Sequence, residues 1–381
     1  VRRTVFDRTH QAFREMVRTL FAREVVPYAE RWEEDGVVPR TLYDTLGAAG
    51  LLGIRIPAEF GGGGERSFRY NAVITEEIAA GSVFLGTVNL HMNVVIPYFL
   101  HHATAEQQAR WLPGLASGAT MGAIAMTEPG SGSDLAGLST TAVRDGDHYL
   151  LNGAKTFITG GTHAGLVIVV ARTARTENRR DGLTLLVVED GMTGFTRGRP
   201  LRKLGLHAQD TTELSFADVR VPVSHVLGEE GRAFGYLGSN LPQERLSIAV
   251  GSQAMSEAMI AETVQYVTAR TVFGTSLASF QNTKFTLAAL AAQVEAGRQL
   301  VDRAIEEFDA GTLDPADAAK AKLYTTELQG QVADQCLQLH GGYGYMREYP
   351  IARRYADARV SRIYGGSSEI MKSIIAKSLG L

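Results

Sequence analysis

Apolar residues recur at three- and four-residue spacing through Phe13, Met16, Val17, Leu20, Phe21 and Val25, the stripe of an amphipathic helix, so the chain begins helical. A glycine-rich break over 60–64 reads as a flexible loop. Beyond it lies a second apolar stretch, 72–100, and Thr104 with Gln107 spells a capping box for another helix. The pattern changes at Met121. Short β-rich runs at 148–151, 156–159, 166–171, 183–188 and 212–216 are punctuated by Asn-Gly, Asp-Gly and Gly-Gly turns. No long amphipathic helix separates them, which disfavours a parallel βαβ sheet and predicts a small antiparallel barrel or sandwich. From Leu241 the helical period returns. Leu287, Leu290, Val294, Val301, Ile305 and Phe308 form one stripe, and Asp314-Pro315 opens the next helix with proline in its first position. The pattern predicts a multidomain α+β chain: an N-terminal helical domain at 1–120, a central β domain at 121–232 and a C-terminal four-helix bundle at 233–381.

Composition narrows the function. The 381 residues are 45% hydrophobic and 21% charged, with no run near the roughly 18 apolar residues of a membrane-spanning helix. Thirty-eight Lys and Arg against 41 Asp and Glu leave a net charge of -3 without a basic block, so neither nucleic acid nor membrane is an expected partner. A single cysteine, Cys336, cannot form an internal disulfide, and the first residues lack the apolar core of a secretory signal. Both point to a reducing, cytoplasmic compartment. Cys336 sits on an apolar helical stripe and reads as a packed core thiol. His91, His101 and His102 lack a metal-ligand pattern and read as solvated or helix-end histidines. Glycine is in excess, 41 of 381 residues or about 11%, against roughly 7% on average.

The densest polar and glycine-rich segment runs from Ala125 to Gly137, at the boundary between helical and β-rich sequence: AMTEPGSGSDLAG. Three glycines and three hydroxyls let backbone N–H groups and side-chain donors converge on an anion or a ring edge. The spacing is not that of a dinucleotide-binding G-x-G-x-x-G turn, and taken alone it reads as a surface turn.

This segment resembles the first signature of the acyl-CoA dehydrogenase family along its whole length. A second signature of that family matches Gln338-Leu339-His340-Gly341-Gly342-Tyr343-Gly344-Tyr345, followed by Glu348, Arg353 and Asp357. Gly50 to Gly53 with Ile56-Pro57, Arg270 with Phe273-Gly274 and Gln281, and the stretch from Arg362 to Met371 agree too, so the resemblance covers essentially the whole chain and is nearest to the long-chain and isovaleryl branch. It implies FAD-dependent α,β-dehydrogenation of an acyl-CoA thioester in fatty acid β-oxidation, with electrons passed to an electron-transfer flavoprotein. By the same resemblance, the segment from Ile124 through Met126, Thr127, Gly132 and Ser133 lines the flavin, and Phe157, Ile158 and Thr159 back its other face, although many relatives carry Trp where this chain has Phe157. Ser367, Ser368 and Glu369 lie beside the flavin. Arg270, Phe273, Gln281, Gln338, Leu339, Gly341 and Gly342 reach the FAD of a neighbouring subunit, which implies a homotetramer built as a dimer of dimers. Ser133, Tyr236, Arg245, Gly365 and Gly366 are the implied substrate contacts; Arg245 could instead form an ordinary surface ion pair.

The base departs from the commoner pattern. Many relatives carry the catalytic Glu directly after the Tyr that here is Tyr364, but this chain has Gly365 there. The long-chain and isovaleryl branch places it on a helix in a sequence like Leu241-Pro242-Gln243-Glu244-Arg245-Leu246, which implies Glu244 as the base. A free Glu, with a pKa near 4.3, is a weak base for a carbon acid, and a water-poor site tunes it towards about 6–7. Three other activities remain open: an oxygen-using relative such as an acyl-CoA oxidase or flavin monooxygenase, a dehydrogenase of acyl-carrier-protein thioesters, and a non-catalytic DNA-binding or scaffold homologue.

Overall fold

Asp7 accepts hydrogen bonds from the amides of Thr9 and His10 and opens α1 (Arg8–Glu24), whose stripe of Val17, Leu20 and Phe21 is buried. The computed structural model describes residues 1–81 and 84–381. α2 (Ala29–Asp35), α3 (Arg40–Ala48), α4 (Phe68–Ala80), α5 (Gly86–Leu90), α6 (Ile96–His102) and α7 (Ala105–Ser117) follow. The Thr104–Gln107 capping box is present at the start of α7. The glycine run is not the flexible loop the composition suggested. Gly63 and Gly64 donate to the carbonyls of Gly53 and Ile56, and a Cβ on Gly62 would lie 2.1 Å from the Ile56 oxygen. Glycine is needed there because two backbone segments touch.

The central strands are β1 (Met121–Ala125), β2 (Thr141–Asp145), β3 (His148–Thr159), β4 (Ala164–Arg172), β5 (Leu183–Glu189), β6 (Phe195–Arg197), β7 (Thr211–Pro222) and β8 (Val226–Leu227). They form one eight-stranded sheet in the order β6-β7-β3-β2-β4-β5-β8, with β1 added beside β4. The sheet is open, so the barrel alternative fails. Nor is it wholly antiparallel: β1 runs parallel to β4, and β2 meets β4 in parallel at Thr141 and Arg172. Between β1 and β4 the chain makes its crossover through the glycine-rich segment and the β2–β3 hairpin, where a βαβ unit would use a helix. β1 and all of β4 except Gly165 and Arg172 are buried, because helix-side residues such as Val95, Trp111 and Leu237 cover one face and Phe216, Val219 and Val221 the other.

The two predicted runs 148–151 and 156–159 are a single strand, β3. Its register against β7 shifts between Lys155 and Ile158, and inside that bulge Phe157 has φ +59°. The extra residue turns the Phe157 ring out of the ladder.

The C-terminal part is α8 (Ala233–Ala269), a small hairpin of β9 (Thr271–Val272) and β10 (Thr275–Ser276), α9 (Gln281–Asp309), α10 (Pro315–His340), α11 (Pro350–Ala358) and α12 (Ser368–Ser378). α8 is the hub. Its residues 245–256 are all buried, packed against α4, α9 and α10. Asp314 caps α10, with Pro315 in its first turn. Cys336 is buried within α10, and burial pushes its thiol up to about 11.

Candidate active site

Glu244 stands near the start of α8, and its neighbour holds that turn in place. Gln243 donates Nε2 to the Asn93 carbonyl at 3.0 Å and accepts from Arg55 Nη1 at 3.0 Å. Asn93 lies in a π-helical turn, His91–Val95, joining α5 to α6; such turns offset the usual backbone pairing and often mark functional sites. The Glu244 carboxylate is pushed above the ordinary carboxylate range by burial, against the pull of Arg245 and Lys322.

Facing it is the turn before α12. Gly365 and Gly366 have φ of +64° and +92°, a left-handed pair that only glycine adopts without strain. A Cβ on Gly365 would lie 3.3 Å from Glu244 Oε1 and 2.4 Å from Ile248 Cδ1. Two cations hold the turn from its carbonyl side. Arg245 Nε reaches the Gly365 oxygen at 3.4 Å, and Lys322 Nζ the Gly366 oxygen at 2.5 Å. Arg245 is therefore not in a surface ion pair: it is buried, with its guanidinium on the turn.

One face of α8 continues from Glu244 as Ile248, Gly251, Ser252 and Met255, at spacings of four, seven, eight and eleven. With Phe84, Asn89, Leu206 and Tyr364 they line a narrow cavity. A wider cavity of about 390 Å³ shares Phe84, Met255 and Asp357 with it.

The glycine-rich segment leaves β1 and is braced from beneath. Lys155, fully buried, donates to the Met126 carbonyl at 3.0 Å and to Glu128 Oε1 at 2.9 Å, while Glu128 accepts from the amides of Ser139 and Thr140. Thr156 donates its amide to Thr127. Ile124 is buried; Met126 and Thr127 are half-buried; Gly132 and Ser133 are exposed. A Cβ on Gly130 or Gly132 would meet nothing within 4 Å. Beside this open shelf Phe157 is 67% exposed, Ile158 is buried and Thr159 half-buried. An exposed aromatic in a left-handed conformation, next to free amides and hydroxyls, suits the ring and phosphates of a flavin nucleotide. The Tyr236 ring lies 4.1 Å from that of His102, tilted by 30°, and its hydroxyl accepts from the Glu229 amide. Ser367 is half-buried, Ser368 donates to Glu327 at 2.5 Å, and Glu369 is exposed on the first turn of α12.

Arg270, Phe273, Gln281, Gln338, Leu339, Gly341 and Gly342 gather elsewhere, at the other end of α8. Arg270 lies over the Tyr343 ring at 5.3 Å, and Tyr266 donates to the His340 carbonyl. Phe273 is 98% exposed, with φ +49°. Along a straight helix Arg270 lies about 39 Å beyond Glu244 at 1.5 Å per residue. Within one protomer this group and Glu244 cannot act on the same atoms.

Three family models account for almost the whole chain: the N-terminal domain of acyl-CoA dehydrogenases over residues 7–119, the middle domain over 123–219 and the C-terminal domain over 231–380. The chain belongs to the acyl-CoA dehydrogenase family. It is 47% identical over 379 residues to the mitochondrial long-chain specific acyl-CoA dehydrogenase of Rattus norvegicus, covering 99% of this chain and 88% of the relative. A crystal structure of an acyl-CoA dehydrogenase from Geobacillus kaustophilus superposes with a TM-score of 0.98 at 46% identity, covering 100% of both chains. A glutaryl-CoA dehydrogenase from Mycobacterium smegmatis in complex with FADH2 gives a TM-score of 0.91 at 30% identity, covering 98% of this chain and 95% of that one. As a member of this family the chain is an FAD-dependent oxidoreductase that dehydrogenates acyl-CoA.

Several residues of this acyl-CoA dehydrogenase escaped the sequence reading. Ile248, Gly251, Ser252 and Met255 were legible as helical repeats from Glu244, had the pattern been counted from that residue. Lys322 and Gln243 carried no local signal, because their partners lie 44 and 150 residues away. His91 is not solvated. It is fully buried; its Nε2 lies 3.0 Å from the Leu115 carbonyl, its Nδ1 accepts from the Gly122 amide, and burial pushes its pKa down to about 4. Among the described residues no group of three potential ligands is placed to hold a metal, and no helix is long and apolar enough to cross a membrane.

Proposed function

We propose that Glu244 removes the α-proton of a long-chain acyl-CoA whose thioester carbonyl rests against the Gly365–Gly366 turn. The observation that carries the reading is the placement of a desolvated carboxylate directly against a glycine turn of left-handed conformation. FAD bound beside this turn would supply the hydride acceptor for the β-hydrogen and the route of the electrons to an electron-transfer flavoprotein. The chain's own residues do the rest. Glu244 holds the α-proton on its carboxylate, and an amide of Gly365 or Gly366 stabilises negative charge growing on the thioester oxygen, a contribution of roughly 3–4 kcal/mol per donor. Arg245 fixes the turn. Ser133 and Tyr236 border the path of the CoA arm, and the face of α8 from Ile248 to Met255 receives the acyl chain. That face extends about 16 Å from Glu244, which together with the long-chain relatives supports a long substrate.

Ile124, Met126, Thr127, Gly132, Ser133, Phe157, Ile158, Thr159, Ser367, Ser368 and Glu369 hold FAD from one protomer. Arg270, Phe273, Gln281, Gln338, Leu339, Gly341 and Gly342 hold it from a neighbour in a homotetramer. The distance of about 39 Å along α8 between Glu244 and Arg270 supports this division. The reading divides the chain at 1–120, 121–232 and 233–381, and places it in the cytoplasm without nucleic acid or membrane as partner. The experiment is an anaerobic titration of the FAD-loaded protein with acyl-CoA thioesters of graded length. Bleaching of the flavin with formation of the 2-enoyl product, lost in Glu244→Gln, is the expected result. Bleaching by Glu244→Gln at the normal rate would remove Glu244 as the base. Fast reoxidation by oxygen would favour an oxidase.

A further inference from the structure

Lys322 lies on α10 with no exposed surface. Lysine is almost never fully buried unless paired, since desolvating its ammonium costs several kcal/mol. Its hydrogen bond goes to a main-chain oxygen, that of Gly366, at 2.5 Å. A methionine or leucine would fill the same space without that cost.

The atom it holds is in the active site. Gly366 is the second residue of the left-handed pair, and the carbonyl of the first, Gly365, faces Arg245 at 3.4 Å. A trans peptide is planar, so its N–H points opposite to its C=O. Fixing the Gly365 oxygen on Arg245 therefore aims the Gly366 amide away from Arg245, and fixing the Gly366 oxygen on Lys322 holds the following peptide. Glycines at these φ values have no side chain of their own to restrain them.

We propose that Lys322 is a positioning residue for proton abstraction: it anchors the Gly365–Gly366 turn through the Gly366 carbonyl and supplies positive charge that helps keep Glu244 ionised. This rests on the reading of Glu244 as the base. The charged groups around Lys322 are Glu244 and Arg245 from α8 and Glu327 from its own helix; Glu327 is itself engaged by Arg362 at 3.3 Å and by Ser368. Burial pushes Lys322 down to about 8, with Glu244 pulling it up and Arg245 pushing it down. Burial raises Glu244, and Arg245 and Lys322 bring it back. Without the ammonium, burial acts on Glu244 less opposed, and less of it is ionised at neutral pH.

The test separates proton abstraction from hydride transfer. A 3-thia-acyl-CoA has sulfur at the β-position and no hydride to give, so exchange of its α-protons with D2O on the FAD-loaded enzyme, followed by proton NMR, reads the base and the turn alone. Exchange breaks the α C–H bond, places the proton on Glu244 and returns deuterium to the same carbon. Lys322→Met is expected to slow exchange roughly tenfold and to move the acid limb of its pH profile upward by about one unit. Lys322→Gln, which keeps a donor but no charge, is expected to show the same displacement with a smaller loss of rate. Wild-type rate and profile in both variants would overturn the proposal. So would failure of both to bind FAD, since that would make Lys322 a support of the flavin contacts at Ser367, Ser368 and Glu369, which follow this turn directly, rather than of proton abstraction. If only Lys322→Met loses FAD, the displacement in Lys322→Gln decides. Glu244→Gln separates the two readings: normal exchange there removes the base itself, whereas abolished exchange with unaltered Lys322 variants removes only Lys322.

Discussion

The carboxylate of Glu244 reaches the space where Gly365 lacks a side chain, across 121 residues of chain, with Oε1 3.3 Å from the point a Gly365 Cβ would occupy. The two positions at which the family resemblance implies a catalytic carboxylate thus converge on one point in space. Only one can be filled, because a side chain at 365 meets both Glu244 and Ile248.

Glu244→Gln should keep its FAD and lose flavin reduction by about 10²–10⁴-fold, the range for a general base. Its stability should change as well. The folded-state pKa of Glu244 is raised, so its contribution to stability is present at low pH and is lost as pH rises through the folded pKa. Thermal melts should therefore place Glu244→Gln above the wild type at pH 8 and level with it at pH 4. A variant that melts lower at both pH values would contradict the assigned desolvation.

Gly365→Ala should lower stability by about 1–2 kcal/mol for the left-handed backbone and further for its contact with Ile248. Moving the carboxylate is the sharper experiment. Glu244→Gly combined with Gly365→Glu should recover activity over Glu244→Gly alone, since the new side chain starts 3.3 Å from the vacated oxygen position. Equal inactivity of the single and double variants in a steady-state assay would show that the two positions are not interchangeable here.

Lys155 and Glu128 form a buried pair beneath the glycine-rich segment. Burial pushes Glu128 up, but hydrogen bonds from Ser139, Thr140 and Lys155 outweigh it and bring the carboxyl down to about 2. A depressed carboxylate stabilises the fold above its unfolded pKa, and that stability is lost as pH falls towards 2. Lys155→Met leaves Glu128 charged and unpaired, and should cost about 3–5 kcal/mol together with FAD affinity. Chemical denaturation and FAD fluorescence measure the two losses; an unchanged denaturation midpoint would show that the pair is dispensable.

Phe157 carries backbone strain at φ +59° and presents its ring to solvent. Phe157→Gly should stabilise the apoprotein, by roughly 1 kcal/mol from relief of the left-handed conformation, and should bind FAD more weakly. Differential melting of the apoprotein against equilibrium dialysis of FAD checks the opposite signs. Weaker binding without any gain in apoprotein stability would argue that the conformation is not strained.

Much of this enzyme is local and could be read in one dimension. The stripe at Val17, Leu20 and Phe21, the Thr104–Gln107 box and Asp314-Pro315 all reappear where the pattern put them, because helices are built from neighbours in sequence. The central strands were legible from alternation and turns, but whether the sheet closes was not. Closure needs the edge strands β6 and β8 to pair, and they stand at opposite ends of the sheet because packing, not local pattern, decides which distant edges meet. Likewise Gly61 to Gly64 read as a loose loop, and Gly62 to Gly64 proved to be packed on 53–56 by a contact no spacing reveals.

The site divides in the same way. The sequence determined the chemistry on offer: Glu244 on its helix, Gly365 at the position where the resemblance implies an alternative base, and the glycine- and hydroxyl-rich segment from Ala125 to Gly137. Tertiary structure alone decided that Glu244 meets the Gly365–Gly366 turn, that Arg245 turns inward, that Lys322 is buried under the Gly366 carbonyl and that Phe273 stands far from all of them. The reason is physical. Residue type and spacing set what a side chain can donate, accept or titrate, but desolvation and the reach of a hydrogen bond depend on which distant segments pack around it.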